Sequence, residues 1–397
     1  MLKWLMLLIY ILLCTYTALN FFWLFSKLQL RHRKQLNAAA VILICILAST
    51  LFFGKFLPAG SIQRQILKFS NYWLGFFIYL LFFMAIADLI LLIRTTILKR
   101  QNKPSRFTKK QLKTAAALVL ILASAFTVYG GIHAKNMTVA QYDMTIEKKA
   151  ANLQELKVVL IADFHLGYSV GCSDMQKMVD KINAQTPDLV VIAGDIFDND
   201  YDALDDPEKL ETILSGIQSR YGVYGVYGNH DVKETLVGGF SVSSSKHALR
   251  DSRMDEFLKK SHITLLEDQS ELIDNSFYLI GRLDGEKTGY GSKDRKSIPE
   301  LLANIDQSKP VFFINHEPDH LSDYDENGVD ILFSGHTHAG QFFPLTITQP
   351  LAWKNYWGVK KIGSLYSIVT AGIGVYGPDL RVATNSEIMV LNIHFGG

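Results

Sequence analysis

The chain is poor in cysteine, in net charge and in repetition, and each shortage removes a class of explanation. Its only cysteines are Cys14, Cys45 and Cys172. The first two fall in long apolar runs and the third stands alone, so no disulfide framework can staple the C-terminal part. That part must fold on its own hydrophobic core, for which roughly 260 residues suffice. A formal net charge of +2 supplies no basic excess of the kind nucleic acid demands. No internal repeat or low-complexity tract occurs, which excludes solenoids and compositionally biased linkers.

Polar residues are scarce over the first 134 positions. Four apolar stretches, about 4–26, 37–58, 72–95 and 112–132, are each near the ~20 residues a helix needs to cross a bilayer. The first and third breaks between them are basic: KLQLRHRKQ at 27–35 and LKRQNKPSRFTKKQLK at 98–113. The second break carries only Arg64 and Lys68. Lysine and arginine gather on the cytoplasmic side, so the first and third breaks are expected inside and both termini outside. A cleaved signal peptide is an alternative reading of the first stretch, since Lys3 precedes an apolar core. It leaves the C-terminal part on the same side. Asp88, deep in the third stretch, reads as either a helix–helix contact or a functional acid. The expected division is a transmembrane helical domain over 1–134, of about four spans, and an extracytoplasmic domain over 135–397.

In that second part, residues 138–147 alternate, with Ala140, Tyr142, Met144 and Ile146 on one face of a half-buried strand. Five short runs follow: KVVLIA (157–162), LVVIA (189–193), VYGVY (223–227), PVFFI (310–314) and DILFS (330–334). They are rich in β-branched and aromatic residues, as buried strands are. Helical patterns lie between them. SDMQKMVDKINA carries Met175, Met178, Val179 and Ile182 on one stripe and opens with Ser173 and Gln176 spaced as a capping box. DPEKLETILSGIQ opens with Asp206 as N-cap and Pro207 at the first helical position. RMDEFLKK and IPELLANI are shorter candidates, and SLYSIVTAGIG and EIMVLNI read as closing strands. This alternation predicts an α/β domain whose sheets are covered by helices. SVSSSKHALR (241–250) reads as a polar loop able to border a site.

Each of the five runs ends in residues able to bind metal or move protons. In order they give Asp163 and His165; Asp195 and Asp198; Asn229, His230 and Asp231; Asn315, His316 and Glu317; and His336 and His338. Sites in α/β sheets form beyond the carboxyl ends of strands, so these endings can converge. Adjacent glycines let the backbone turn sharply. Three Asp or Asn oxygens and four imidazoles exceed what one ion needs; two ions sharing a carboxylate fit better. Mixed imidazole and carboxylate donors suit Mn, Fe, Zn or Co.

The motifs DFH, GDIFD, GNHD, NHEP and GHTHAGQ, in that order, resemble those of the calcineurin-like metallophosphoesterase superfamily. The closing segment GIGVYGPDLRVATNSEIMVLNI is similar to the tail of its bacterial membrane-anchored or secreted branch. The resemblance implies a four-layer α-β-β-α sandwich and two divalent metal ions. It implies that Asp163, His165, Asp195 and His338 hold the first ion, and Asp195, Asn229, His316 and His336 the second. It also makes His230 a non-ligand histidine beside the substrate and Asp198 the acid that orients it. Two ions ~3.5–4 Å apart clamp a phosphoryl group and supply its nucleophile near neutral pH. The expected activity is hydrolysis of phosphate esters, leaning to diester or pyrophosphate bonds. The membrane tether favours a membrane- or envelope-associated substrate, a lipid-linked phosphate among them. A non-catalytic metal-binding sensor or scaffold of the same shape is the alternative; loss of a ligand position would favour it, and none is lost.

Asp231 and Glu317 read as loop braces, and Cys172 as a buried, inert thiol. AWKNYWG (352–358) reads either as loop packing or as a contact with the membrane surface, where Trp and Tyr gather. Arg381 is expected to pair with a carboxylate or, as the second option, with phosphate.

Overall fold

The computed structural model describes residues 2–58, 60–104, 107–234, 236–237, 240–241 and 247–396. Residues 242–246 of the 241–250 loop singled out in the sequence therefore lie outside the described residues. The chain divides into two compact units, one built on the helical region up to Gly131, the other on the region from Ile132 onward.

The first unit contains α1 (Leu2–Leu28), α2 (Arg33–Phe53), α3 (Ser61–Arg100) and α4 (Lys109–Ala134), which runs on to the unit boundary. All four are long and apolar enough to span a bilayer. α3 is much longer than the apolar stretch at 72–95, because residues 61–71 hold no proline or glycine to stop a helix. The hydrophobic criterion finds the span and not the helix. Leu12, Ile42, Leu92 and Ile121 are all more than half exposed, as lipid-facing side chains are. Polar groups are answered locally: Thr15, Thr17 and Thr127 donate to carbonyls four residues back, at 2.8–3.0 Å. Asp88 accepts a hydrogen bond from Tyr16 of α1, which makes it a helix–helix contact.

The second unit holds two six-stranded mixed sheets. Its strands are β1 (Met137–Ile146), β2 (Glu155–Ile161), β3 (Leu189–Ala193), β4 (Val223–Val226) and β7 (Ile263–Leu265); the short β5 (Leu236–Val237) and β6 (Phe240–Ser241) pair outside both sheets, and β6 groups with the first unit. The sheet strands continue with β8 (Gln269–Ile273), β9 (Phe277–Gly281), β10 (Val311–Ile314), β11 (Ile331–Ser334), β12 (Gly358–Ile362), β13 (Leu365–Val369) and β14 (Ser386–Phe395). One sheet runs β1-β14-β2-β3-β4-β7, with β2, β3, β4 and β7 parallel. The other runs β12-β13-β11-β10-β9-β8, with β13, β11, β10 and β9 parallel.

Alternation along each strand sends side chains to opposite faces, and that fixes the layers. Val158, Leu160, Val191, Phe312, Ile314 and Phe333 meet in one cluster between the sheets. On the outer face of the first sheet, Val159, Val190 and Ile192 pack against helices α5 (Cys172–Asn183), α6 (Pro207–Leu214) and α7 (Ser252–Lys260). On the outer face of the second, Phe313 and Leu332 pack against α8 (Ile298–Leu302) and α9 (Leu321–Glu326). The result is the expected α-β-β-α sandwich. α6 starts as read, with Asp206 accepting from Lys209 N–H at 3.2 Å. α5 starts two residues before the expected box: Gly171, not Ser173, is the N-cap, and Asp174 accepts its N–H at 3.4 Å. An acid at that position also suits the positive end of the helix dipole.

Candidate metal centre

Every candidate ligand lies just past the end of a parallel strand. β2 leads to Asp163 and His165, β3 to Asp195, and β4 to Asn229, all from the first sheet. β10 leads to His316 and β11 to His336 and His338, from the second. Where a strand ends, the chain must turn without losing its backbone partners. Asp163 N–H donates to Gly194 O at 2.9 Å and His165 N–H to Asp195 O at 3.1 Å, so two strand ends hold each other. Asp163, His165, Asp195, His336 and His338 all take left-handed φ values, between 47° and 71°. Such conformations are costly for non-glycine residues and cluster at functional sites. Gly228 has no room for a side chain, because a Cβ there would collide with Asp195 Oδ1. At Gly372 (φ +78°) a Cβ would fall 2.7 Å from Asp163 Cβ. The glycines thus admit ligands as well as turns.

The structure brings all seven together in two overlapping clusters. In one, His165 Nε2 faces His338 Nε2 at 3.0 Å, and His338 Nε2 lies 3.9 Å from Asp163 Oδ1. In the other, His316 Nε2 is 3.2 Å from Asn229 Oδ1 and 3.3 Å from His336 Nδ1, which is itself 3.1 Å from Asn229 Oδ1. Asp195 Oδ2 joins them, at 3.7 Å from His165 Nε2 and 3.1 Å from His316 Nε2. Asp163 and His316 are fully buried, and His165, Asp195 and His338 nearly so.

This arrangement fits divalent cations. Two pairs of ring nitrogens face each other across hydrogen-bond distance, and a single proton is all that can lie between each pair. The remaining ring lone pairs and carboxylate oxygens converge with fewer donors than acceptors. Asp163 Oδ2 is buried without a hydrogen-bond partner, a costly state that a cation would relieve. The outer contacts orient the donors as metal sites require. His316 Nδ1 meets Ala193 O at 2.7 Å, which places its proton there and frees Nε2. His336 N–H and His230 N–H donate to Asp163 Oδ1 and Asp195 Oδ1, at 3.0 and 2.8 Å.

Electrostatics follow from burial. It raises the Asp163 carboxyl to about 6 and lowers His230 and His336 to about 3. Burial also opposes charge on Asp195 and His316, yet each sustains the other: Asp195 sits well below and His316 well above its ordinary range.

Asp198, His165 and His230 lie together, with nitrogen and carboxylate atoms within 4.8 Å of one another. Asp198 Oδ1 lies 3.6 Å from His165 Nδ1, whereas His230 Nδ1 meets Asn199 Oδ1 at 2.5 Å. Asn199 N–H donates to His230 O at 3.0 Å, which aligns residue 199 with the histidine. Its Nδ2 donates to Val232 O at 3.1 Å, so Oδ1 faces the ring and accepts from Nδ1–H. Tyr376 was also not singled out; its ring centroid lies 4.4 Å from that of His230 and 5.4 Å from that of His165. Only its place in the GIGVYGPD tail hinted at this. Arg381 takes backbone partners in place of the carboxylate expected of it. It is fully buried and donates to the carbonyls of Ala371, Gly374 and Gly372, at 2.6, 2.8 and 3.2 Å, and so ties the tail together. Asp231 braces its loop as read, accepting from Phe197 N–H and Gly228 N–H at 2.7 Å each. Cys172 is buried.

Comparison with known proteins agrees with this geometry. Residues 156–340 match the calcineurin-like phosphoesterase family model. A transmembrane protein with metallophosphoesterase domain from Danio rerio is 30% identical over 333 residues, covering 82% of this chain and 72% of that one. An uncharacterised metallophosphoesterase from Campylobacter jejuni is 29% identical over 324 residues, covering 79% and 78%. One from Aquifex aeolicus is 27% identical over 277 residues, covering 69% of this chain and 98% of that one. The chain belongs to the calcineurin-like metallophosphoesterase family, in a form that carries four apolar helices of membrane-spanning length ahead of the α/β domain.

Proposed function

We propose that the protein is a membrane-tethered, dimetal-dependent phosphoesterase. Residues 1–134 form the tether and 135–397 the catalytic domain, on the extracytoplasmic side. The observation that carries this reading is the shared carboxylate: Asp195 Oδ2 lies 3.7 Å from an imidazole of one cluster and 3.1 Å from one of the other. Asp163, His165, Asp195 and His338 would hold one ion, and Asp195, Asn229, His316 and His336 the second. When bound, two such ions would supply positive charge for phosphoryl oxygens and a water-derived nucleophile near neutral pH.

The chain's own residues supply orientation and the proton. Asn199 fixes the His230 tautomer by accepting from Nδ1–H, and the Tyr376 ring holds the imidazole face. A bound phosphoryl group adds negative charge beside His230 and favours its protonated form. His230 Nε2 then carries a proton to the leaving oxygen, while Nδ1 keeps its bond to Asn199. Asn229 is a neutral donor and leaves more positive charge for the substrate than a carboxylate would. A membrane-held active site favours phosphodiester or pyrophosphate bonds of membrane or envelope components.

The test is turnover of bis(p-nitrophenyl) phosphate and p-nitrophenyl phosphate by the full chain, before and after chelation. The reading expects metal-dependent hydrolysis of at least one ester, restored by Mn, Fe, Zn or Co. No hydrolysis of either by the metal-loaded protein counts against it.

A further inference from the structure

Beyond α4, seven large apolar side chains are exposed among the described residues, and four of them fall within residues 345–357. Leu345 is 47% exposed, Ile347 62%, Leu351 87% and Trp357 46%. Scattered apolar residues on a surface need no explanation, but a concentration does. The segment comprises a short turn, Leu345–Ile347, and α10 (Gln349–Ala352). No acidic or basic residue occurs from Phe342 to Trp353. Exposed Lys354, Lys360 and Lys361 follow directly.

This segment is fixed to the metal centre. The Trp353 ring meets His336 edge-on, with centroids 5.2 Å apart. Thr337, between His336 and His338, donates from its hydroxyl to Tyr356 O at 2.6 Å. Trp357 donates from Nε1 to Glu387 at 3.0 Å, so its polar end is satisfied while the ring remains half exposed. An uncharged apolar tip, a tryptophan at its rim and lysines behind it match the order of layers in an anionic bilayer surface: acyl chains, interface, phosphates. Four membrane-spanning helices keep every copy of the chain at such a surface.

We propose that residues 345–357 form an interfacial lip that enters an anionic lipid surface and delivers a phosphate ester bearing a long acyl or alkyl chain to the metal centre. The proposal rests on the phosphoesterase reading for its substrate, though not for the insertion itself. It moves the membrane contact expected of AWKNYWG upstream: Trp353 packs on His336, and Leu345, Ile347 and Leu351 carry the tip.

Two measurements on the full chain in nanodiscs of phosphatidylcholine and phosphatidylglycerol test it. The first is tryptophan quenching by lipids brominated on their acyl chains, compared between wild type and Trp357→Phe. The emission that the substitution removes is expected to be quenched; if it is not, insertion is refuted whether or not any ester is split. The second compares the doubly substituted Ile347→Asp, Leu351→Asp chain with wild type on soluble p-nitrophenyl esters and on phosphatidylglycerol or phosphatidate in the bilayer. Bilayer turnover is expected to fall about tenfold or more, and soluble turnover to stay within about twofold. An equal loss on both, or no loss on either, overturns the delivery role. A wild type that splits neither soluble ester, with quenching intact, removes the phosphoesterase reading and leaves the lip standing.

Discussion

The helical unit and the α/β unit treat polar groups in opposite ways. In the apolar helices several polar side chains are answered by a neighbouring turn or helix: Thr15 and Thr127 by the carbonyl one turn back, Asp88 by Tyr16. In the α/β unit, strand ends from two sheets bring four histidines, two aspartates and an asparagine into one buried volume, and Asp163 Oδ2 is left without a partner. Hydrocarbon penalises an unanswered polar atom, so polar side chains are few there, and those of Thr15, Thr127 and Asp88 are paired. A soluble core is under the same penalty. It tolerates such a concentration where a cation completes it. The contrast separates polar residues that hold structure together from those assembled for chemistry.

That contrast predicts an order of effects. The largest loss belongs to a residue inside the cluster. His316→Ala should lower ester turnover by at least about a thousandfold, more than the 10–100-fold typical of outer contacts, with reduced metal content by elemental analysis. Next is His230, proposed to face the substrate and not a metal: His230→Ala should lower kcat by about 10²–10⁴-fold with metal content unchanged. A smaller effect separates the neighbours Asp198 and Asn199. Asn199→Ala should cost about tenfold in kcat through the His230 tautomer, and Asp198→Ala should instead weaken metal affinity about 10–100-fold through His165. If the two variants behave alike, the division of roles drawn from the contacts is wrong. The smallest effect lies in the membrane. Tyr16→Phe should cost about 1 kcal/mol of stability, as interhelical hydrogen bonds in bilayers do, seen as a small drop in Tm with turnover intact. A large loss of turnover there would break the comparison.

The sequence already held most of this layout. The four long apolar helices were legible because a bilayer demands unbroken apolar length, and the five strands because burial on both faces demands β-branched and aromatic runs. The candidate ligands could be read because metal chemistry restricts residue type so strongly. What could not be read depends on direction within a turn. Asn199 adjoins Asp198, and only its backbone bond to His230 O brings its side-chain oxygen against that ring. Arg381 looked like a partner for an acid or a phosphate, yet its place beneath the tail gave it backbone carbonyls instead. The apolar tip at Leu345, Ile347 and Leu351 was hidden because leucine and isoleucine normally signal a core. Only their exposure separates a lip from a buried turn.

The account turns on Asp195 joining two ligand sets. The direct measurement is metal content per chain, with ester turnover, for the purified full-length protein and its Asp195→Asn variant. Two ions in the wild type, and loss of at least one together with turnover in the variant, is the predicted result. A wild type that binds one ion at most, or a variant that keeps two ions and full turnover, contradicts it.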